Sequence, residues 1–366
     1  MKRLLCILSC MNAGGAETFL MKLYREIDRK AYQFDFAVNS REEGFYDKEI
    51  SSLGGKIFQF PSKSESFLGY VKGIKKIVQE NHYEYVLRIT SNAMGFLDLA
   101  IAKKAGAKIC IARSSNSSGG GRLKSRLSHT LGKFLFKKFV DVKIAPSSEA
   151  AVYTFGEKDY KRGFVHLLPN GFDLDYYKYT ESGRVAFRKE FGISPNQKVV
   201  GHVGRFSVQK NHFFLLSFFK EYLKTNPDAV LLLVGKGELE TEVQRKVSEM
   251  KMERNVLLAG VRSDMPSVYS AMDVFVFPSL YEGMPNAVLE AQACGLNCIV
   301  SENVTKEANV TNGIHYLPIE NGCIRMWVDL IGKCKNRILD ANRFFEEYDI
   351  KKVAMKFEKI VLGDFT

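Results

Sequence analysis

The sequence lacks the features that mark several other classes of protein. Its seven cysteines include no C-x-x-C pair, and Cys294 and Cys298 have no companion at zinc spacing, so we expect reduced thiols and neither a disulfide framework nor a zinc site. No apolar run approaches the roughly 20 residues that span a bilayer. No complete G-x-G-x-x-G motif is present, which disfavours a dinucleotide-dependent oxidoreductase.

Acidic residues are scarce in the first half of the chain. Residues 1–170 contain 28 lysines and arginines against 16 aspartates and glutamates, whereas residues 171–366 contain 25 of each kind. The whole net charge of +12 therefore belongs to the first half. This asymmetry is typical of proteins that meet an anionic surface, either a nucleic acid or the cytoplasmic face of a membrane.

Short apolar runs alternate with helical patterns along all 366 residues, which predicts parallel strands with helices on both faces. We expect two Rossmann-like domains that face each other across a cleft, residues 1–170 and 171–349, followed by a last helix in residues 350–366. The first apolar run, Leu4–Met11 after Lys2 and Arg3, resembles a short signal peptide. With only eight residues, it is better interpreted as the first buried strand.

The stretch Asp273–Gly295 combines a strand, a polar loop and a helix for which Pro285 suits the first turn. The loop lies outside the carboxyl end of a buried parallel strand, where open α/β sheets bind ligands. Glu282 in the turn and Glu290 in the helix bracket this loop. Taken alone, both could equally be solvated carboxylates that the helix dipole favours.

Further polar groups border the same loop. Asn286 is four residues before Glu290 and shares its helical face. The amides at Gly283 and Met284 lie near a helix N-terminus, where a phosphate or a sugar hydroxyl can bind. We therefore interpret the loop as a candidate ligand site.

A second loop, His202–His212, follows another predicted strand and contains Gly204, Arg205 and Lys210. The two cations are five residues apart and could clamp a diphosphate, because Arg offers a planar fork and Lys a mobile charge. They could also be solvated surface cations. We expect the two histidines to pack or cap there.

These motifs resemble those of retaining GT-B glycosyltransferases of family 4. Glu282 and Glu290 match the Glu, seven residues, Glu arrangement of that family, residues 204–211 match its G-R-x-x-x-x-K-N pattern, and residues 14–17 match its G-G-A-E loop. The resemblance implies the GT-B fold, with the last helix packed on the first domain. It further implies that Glu282 meets the donor sugar, Glu290 binds the ribose hydroxyls, and Arg205 with Lys210 replaces a metal at the diphosphate. The predicted catalytic residues are therefore Glu282, Arg205 and Lys210.

The resemblance also assigns several donor-side turns. It places Gly235 beside the nucleotide, the backbone at Val261 and Arg262 against the base, and Gly14 with Gly15 close to the ligand. We expect no metal and no cofactor, because the only acidic D-x-D pair, Asp173 and Asp175, follows a turn at the domain crossover and suits a turn or cap.

One departure from the family concerns residues 111–116. Related polysaccharide transferases often have histidines near the end of this strand, where this chain has Arg113, Ser114 and Ser115. Either Arg113 and Asn116 complete the acceptor side, or the acceptor alcohol is handled differently.

A basic stretch, Arg122–Phe139, carries six cations among leucines and phenylalanines, and no acid occurs between Ser114 and Val140. One interpretation is an amphipathic helix packed on its own sheet. The other is an interfacial helix that holds the protein on anionic lipid.

The resemblance thus implies a retaining hexosyltransferase, which we expect to be cytoplasmic and peripheral on the inner face of the plasma membrane. It further implies a nucleotide-diphosphate sugar as donor, most simply UDP-linked, and a saccharide or polyprenyl-linked oligosaccharide of capsule or exopolysaccharide synthesis as acceptor. The alternatives are a GT-B-fold nucleotide-sugar epimerase and a basic nucleic-acid- or membrane-binding protein without catalysis. Nucleic acid is not an expected partner, because the basic half lacks an aromatic-interleaved recognition motif.

Overall fold

The apolar runs of the first 170 residues form one parallel sheet in a computed structural model, which describes residues 1–12, 14–115, 123–334, 336–338 and 340–361. The chain divides into two units, Met1–Gly171 with Glu347–Thr366, and Phe172–Glu346. Among the described residues, none of the helices combines the length and apolarity that crossing a bilayer requires.

Seven described strands form the sheet of the first unit, in the order β3-β2-β1-β4-β5-β6-β7. They are β1 (Lys2–Leu8), β2 (Tyr32–Val38), β3 (Ile57–Gln59), β4 (Tyr85–Thr90), β5 (Ile109–Ser114), β6 (Val142–Ala145) and β7 (His166–Leu167). The connecting helices are α1 (Gly15–Glu26), α2 (Asp47–Ser52), α3 (Phe67–Glu80), α4 (Phe96–Lys104), α5 (Leu123–Phe136), α6 (Ser148–Phe155) and α7 (Glu157–Lys161).

Both faces of this sheet are covered, which explains why β1 is nearly continuously apolar. Leu4 and Cys6 belong to one buried cluster, whereas Leu5 and Ile7 belong to the other. The strand periodicity of two therefore divides one short segment between two cores. Interpreting Leu4–Met11 as a strand is confirmed, although β1 ends at Leu8.

The second unit contains a six-stranded parallel sheet in the order β10-β9-β8-β11-β12-β13. Its strands are β8 (Val199–Val203), β9 (Val230–Val234), β10 (Val256–Leu258), β11 (Val274–Phe277), β12 (Cys298–Ser301) and β13 (Ile314–Leu317). Its helices are α8 (Glu181–Glu190), α9 (His212–Leu223), α10 (Glu240–Glu249), α11 (Met265–Ala271), α12 (Asn286–Ala293) and α13 (Ile324–Lys333). The sequence patterns did not predict β13, because its residues IHYL form no apolar run and only its two ends, Ile314 and Leu317, are buried.

The strand order creates a switch point in each sheet. In the second unit the chain runs from β8 outward to β10 and then returns to β11 on the other side of β8. In the first unit it runs from β1 to β3 and returns to β4 beside β1. Ligands of open α/β sheets bind outside the carboxyl ends of the strands at such points.

The last helix, α14 (Ile350–Val361), belongs to the first unit. Its buried residues follow a helical stripe, and Phe357 makes an edge-on contact with Phe34 at 5.9 Å between ring centroids. Val353, Ala354 and Phe357 join the same buried cluster as α1 and β2. The expected packing of the last helix on the first domain is therefore confirmed.

Candidate active site

Two loops meet at the switch point of the second sheet, one after β8 and one after β11. The first contains a short 3-10 turn, Val208–Lys210, and then Asn211 in the left-handed conformation at φ 55° before α9 begins. Asn tolerates that conformation better than most residues. The loops are tied together by the amide of Leu280, which donates to the carbonyl of Gln209 at 2.8 Å.

Lys210 and Glu282 form an ion pair at this point. Their side chains are only 17% and 12% exposed, so water screens the pair weakly. The ammonium of Lys210 also lies 4.4 Å from the centre of the Phe277 ring, a cation–π contact. The fold thus brings together two of the three residues predicted to be catalytic, although they are separated by 72 positions.

Gln209 is the second donor to the same carboxylate. Its Nε2 donates to Oε1 of Glu282 at 3.0 Å and to the carbonyl of Tyr281 at 2.9 Å. The backbone of Glu282 is held as well, through a parallel bridge to Val304. Backbone and side chain of Glu282 are therefore both fixed.

Two neutral histidines lie buried beside Lys210. His202 donates from Nδ1 to the carbonyl of Val276 at 2.9 Å, and His212 stacks on Phe206 with 4.4 Å between ring centroids. Burial, together with the nearby Lys210 ammonium, lowers the pKa of both rings, that of His202 well below its usual range and that of His212 to about 4. The predicted packing role of both histidines is confirmed, and Lys210 has uncharged rings beside it at neutral pH.

The third predicted catalytic residue, Arg205, lies apart from this pair. Its side chain is 73% exposed and pairs with Glu238 at 3.1 Å. An exposed ion pair of this kind contributes little to stability, so the guanidinium can exchange partners easily. Its role at a diphosphate stays a prediction.

Gly235 is required by the turn that follows β9. Its φ of +138° suits glycine, and a Cβ there would lie 2.1 Å from the carbonyl oxygen of Gly204. The amide of Gly204 donates to the carbonyl of Val234 at 2.9 Å. A Cβ on Gly204 would approach His202 Nε2 at 3.1 Å and the stem of Lys210 at 3.3 Å. Glycines thus let the two turns and Lys210 pack closely.

Helix α12 begins one residue later than the sequence suggests. Pro285 is the extended cap residue at ψ 110°, so Gly283 and Met284 precede the cap and are not in the first turn. Within α12, Glu290 accepts a hydrogen bond from the Tyr269 hydroxyl at 3.0 Å. Burial and the nearby Glu290 carboxylate raise the pKa of the Tyr177 hydroxyl. This hydroxyl also donates a hydrogen bond to Glu290. Two tyrosines therefore fix the orientation of Glu290.

The loop predicted to face a nucleobase, Val261 and Arg262, follows β10. Val261 is exposed, whereas Arg262 pairs with Glu190 at 2.7 Å and with Asp264 at 2.8 Å. The side chain of Arg262 is thus engaged within its own unit. The predicted base contact, which concerns the backbone, stays a prediction.

Asp173 and Asp175 occupy a turn, as predicted. The Asp173 carboxylate accepts the amides of Asp175 and Tyr176 at 2.9 and 3.0 Å. This is the hydrogen-bonding pattern by which Asp stabilises its own turn.

In the first unit, Gly14 caps α1 and Gly15 is its first residue. A Cβ on Gly15 would meet no atom of the described residues within 4 Å, so space beside the start of α1 is open. A Cβ on Gly14 would meet the Glu17 carboxylate at 2.4 Å. Gly15 therefore leaves room at this edge, and Gly14 does so when the Glu17 side chain turns away.

Arg113 is the last residue but one of β5 in the first unit and is 2% exposed. Its guanidinium stacks 3.6 Å from the centre of the Phe19 ring and donates to Oδ1 of Asn170 at 2.5 Å. Among the described residues no acid pairs with it, and burial lowers its pKa to about 9. The structure thus places Arg113 in the interior, and its predicted contact with an acceptor stays a prediction. Asn116 lies outside the described residues.

Helix α5 corresponds to most of the basic stretch Arg122–Phe139, of which Arg122 lies outside the described residues. Gly132 and His129 lie on the side of α5 that packs against the rest of the unit. A Cβ added to Gly132 would lie 2.5 Å from backbone atoms of Ala93 and Met94, and His129 stacks on Tyr153. Lys133 and Lys137 bend inward to the carbonyls of Tyr153 and Phe155, each at 2.6 Å. Two of the six cations therefore serve the fold.

The outward side of α5 is apolar. Leu127, Leu131 and Phe134 are 72%, 50% and 85% exposed, at the i, i+4, i+7 spacing of one helical face. Arg126 and Lys138 flank them and are also exposed. Packing on the first unit's own sheet does not account for these apolar side chains. We call Arg126, Leu127, Leu131, Phe134 and Lys138 the α5 surface.

Sequence analysis missed four residues that shape the site. Tyr177 and Tyr269 orient Glu290, Phe277 contacts Lys210, and Gln209 holds Glu282. Gln209 and Phe277 had a local signal, because they lie in the recognised stretches His202–His212 and Asp273–Gly295. The tyrosine contacts depend on the tertiary fold.

Comparison with known proteins gives this geometry a family context. The family model described as Glycosyl transferases group 1 matches residues 197–334. The chain is 34% identical over 336 residues, 91% of its length and 87% of the relative's, to EpsF of Bacillus subtilis (strain 168), which is named as a glycosyltransferase. Over 201 residues, half of each chain, it is 33% identical to the UDP-Gal:alpha-D-GlcNAc-diphosphoundecaprenol alpha-1,3-galactosyltransferase of Escherichia coli.

A solved structure extends the comparison to the whole fold. HepE of Anabaena, determined in complex with UDP and glucose, superposes with a TM-score of 0.79 over 98% of this chain and 99% of its own, at 19% identity. This likeness, with the two parallel sheets, confirms the GT-B fold expected from the sequence.

Proposed function

The chain belongs to the group 1 glycosyl transferases and is a glycosyltransferase, and from this premise we propose that it moves a hexose from a UDP-sugar to a saccharide acceptor with retention of configuration. The observation that carries the proposal is the Lys210–Glu282 pair at the switch point of the second sheet. A mobile cation and a fixed carboxylate meet where an α/β sheet receives its ligand.

In the proposed reaction the diphosphate of the donor takes Lys210 away from Glu282. The ammonium then stabilises the negative charge that develops on the departing phosphate, which is the main electrostatic task in such a transfer. The neutral state of His202 and His212 leaves Lys210 as the charge that the phosphate meets at that position. Arg205, free to leave Glu238, adds a second, exposed cation.

The two glutamates divide the rest of the donor between them. Glu282, freed from Lys210, accepts hydrogen bonds from sugar hydroxyls, and Glu290 accepts those of the ribose. The acceptor hydroxyl attacks from the face that the phosphate leaves, and the departing phosphate oxygen takes its proton. The UDP and glucose bound by HepE and the UDP-Gal named for the E. coli relative support a UDP-hexose as donor.

The acceptor is proposed to be a lipid-linked saccharide in polysaccharide synthesis at the inner face of the plasma membrane. Support comes from the α5 surface, where three exposed apolar side chains are flanked by two cations. Such a surface fits a bilayer with anionic lipid, because the apolar groups enter the interface and each cation adds about 1 kcal/mol. The diphosphoundecaprenol acceptor named for the E. coli relative agrees with this assignment.

The donor proposal is tested by calorimetric binding of UDP to the wild-type protein and to Lys210→Met. We expect the variant to bind UDP at least tenfold more weakly, because it loses a charge-assisted bond to the diphosphate. Lys220→Met, which removes an exposed cation from α9 in the same unit, is the matched control and should bind like the wild type. Equal UDP affinity in Lys210→Met would contradict the proposed diphosphate site.

Activity distinguishes a transferase from an epimerase. With a panel of UDP-hexoses and a lipid-linked acceptor, the transferase releases UDP only when the acceptor is present. Conversion of one UDP-hexose to another, or release of UDP with no acceptor needed for turnover, would favour the epimerase.

The membrane proposal is tested by sedimentation with vesicles that contain or lack anionic lipid. Phe134→Ser should reduce binding to anionic vesicles severalfold, whereas Phe164→Ser, an exposed phenylalanine elsewhere in the unit, should not. Binding that ignores lipid charge, salt and Phe134 would contradict the assignment.

A further inference from the structure

Gln209 occupies a position between the two groups assigned to the donor. It lies in the 3-10 turn directly before Lys210, and its side chain crosses to the loop after β11. Its carbonyl accepts from Leu280, and its Nε2 donates to the carbonyl of Tyr281 and to Glu282. One residue thus makes three bonds to three consecutive residues of the opposite loop.

Two donors share one oxygen of Glu282. Lys210 Nζ and Gln209 Nε2 both donate to Oε1, and no other side chain of the described residues makes a hydrogen bond to this carboxylate. When Lys210 turns to a diphosphate, the Gln209 amide is the side-chain donor that remains. A carboxylate with no donor at all would be free to rotate and would turn to solvent.

We propose that Gln209 is a positioning residue that keeps Glu282 directed at the sugar of the donor after Lys210 has left it. The inference rests on the proposed function, since it takes the diphosphate as the partner of Lys210 and the sugar as the partner of Glu282. It assigns Gln209 no contact with the substrate. Its effect should therefore fall on recognition of the sugar and not on recognition of UDP.

The neighbouring residue provides a matched control. Val208 precedes Gln209 in the same turn, and its side chain is 67% exposed. Val208→Ala changes the turn without touching the opposite loop. A general loosening of the loop would affect this variant as well, whereas loss of the amide affects only substitutions of Gln209.

The first experiment compares the Kd of UDP with that of UDP-glucose and UDP-galactose in the wild type, in Gln209→Met and in Val208→Ala. The sugar increment is defined as the Kd of UDP divided by the Kd of the UDP-hexose that the wild type binds more tightly. We expect Gln209→Met to bind UDP within about twofold of the wild type, because Met keeps the length of the side chain. Its sugar increment should be at least tenfold smaller than that of the wild type, because the amide donor to Glu282 is lost. Val208→Ala should keep both values.

The second experiment uses Gln209→Glu, which replaces the amide donor by a carboxylate at hydrogen-bond distance from Glu282. Two carboxylates so close share one proton, so the pKa of one of them rises. The other ionisable groups facing them are Lys210 and the buried His202 and His212, of which the histidines are neutral in this range. Because the Lys210 ammonium opposes protonation of the pair, the pH range is extended downward. As the pH falls from 8 to 5, the shared proton restores a hydrogen bond, and the deficit of Gln209→Glu relative to wild type should shrink at least threefold.

Gln209→Met has no proton to regain, so its deficit should stay constant over the same pH range. A sugar increment that survives in Gln209→Met, or a deficit of Gln209→Glu that ignores pH, overturns the positioning role. If UDP affinity falls in parallel with the sugar increment, Gln209 acts only through loop stability and the proposal is also wrong. A wild type with no sugar increment for any UDP-hexose would instead overturn the proposed function, and this inference with it.

Discussion

The carboxyl edges of the two sheets handle charge in opposite ways. At the second sheet, Lys210 and Glu282 meet in a weakly solvated pair with Gln209 as an additional donor. At the first sheet, Arg113 is fully buried, has no acid partner among the described residues, and is stacked on Phe19.

The difference shows that net charge does not locate the chemistry. The first half of the chain holds the entire excess of +12, yet its buried cation is enclosed by an aromatic ring and an amide. The second half is neutral in sum, yet it holds a cation that can exchange a carboxylate for a phosphate. An anionic ligand needs a cation whose carboxylate partner it can displace, and an excess of positive charge alone does not provide one.

The largest effect on activity is expected at the Lys210–Glu282 pair of the second sheet. Glu282→Gln keeps the shape but removes the charge that meets the sugar and holds Lys210, so kcat/KM should fall by about 10²–10³. Glu290→Gln, which weakens the contact with the ribose and the hydrogen bonds from Tyr177 and Tyr269, should weaken UDP binding about tenfold. Steady-state kinetics and UDP binding on both variants separate the two carboxylates, and equal effects on UDP affinity would contradict their division of the donor.

The next largest effect is on stability, where glycine substitutions at the two sheet edges should differ. Gly235→Ala places a methyl group against the carbonyl of Gly204 at an unfavourable φ, so the free energy of unfolding should fall by about 3 kcal/mol. Gly15→Ala, at the open edge of the first unit, should change it by less than about 0.5 kcal/mol. Urea unfolding measures both, and a Gly15→Ala loss as large as that of Gly235→Ala would mean that the first edge is equally closed.

The buried histidines make the second edge sensitive to acid. Below pH 6.5 the unfolded chain protonates His212, whereas the folded protein keeps it neutral down to its pKa of about 4. The unfolded state therefore binds more protons in this window, and stability falls as the pH falls. From His212 alone we expect a loss of about 2 kcal/mol between pH 7.5 and 5.

His212→Phe should remove that part of the pH dependence while keeping the stack on Phe206. Urea unfolding at several pH values is the measurement. An unchanged slope between pH 7.5 and 5 in His212→Phe would show that the ring is protonated in the folded protein.

The smallest effect is expected at Arg113. Arg113→Met removes a buried charge without an acid partner among the described residues, which stabilises the protein, and also removes the hydrogen bond to Asn170, which destabilises it. Because the two effects offset each other, the free energy of unfolding should change by only about 0–1 kcal/mol, in either direction. A loss above about 2 kcal/mol would show that the first edge depends on its cation for stability.

Sequence patterns sufficed for the architecture because buried parallel strands are short apolar runs. Val230–Val234 and Val274–Phe277 are such runs, and each forms a strand with these bounds. The edge strand Ile314–Leu317 was missed because its two middle residues are polar or partly exposed and interrupt the apolar run.

For the site, the motifs placed Lys210 and Glu282 on loops after strands, and the strand order brings those loops together. The contacts of Tyr269 and Tyr177 with Glu290 could not be predicted, because they depend on how α11 and α12 pack. The burial of Arg113 likewise depends on Phe19 and Asn170, which are distant in sequence. For the basic helix, apolar spacing alone could not separate packing from exposure. Gly132 resolves this, because it shows which side is seated on the protein.

The central claim is that a donor diphosphate displaces Glu282 from Lys210 at the switch point of the second sheet. A crystal structure of the complex with UDP tests it most directly. The account predicts a pyrophosphate oxygen about 3 Å from Lys210 Nζ, with Glu282 held by Gln209 alone. UDP bound elsewhere beside an intact Lys210–Glu282 pair, or held there through a divalent metal ion, would contradict it.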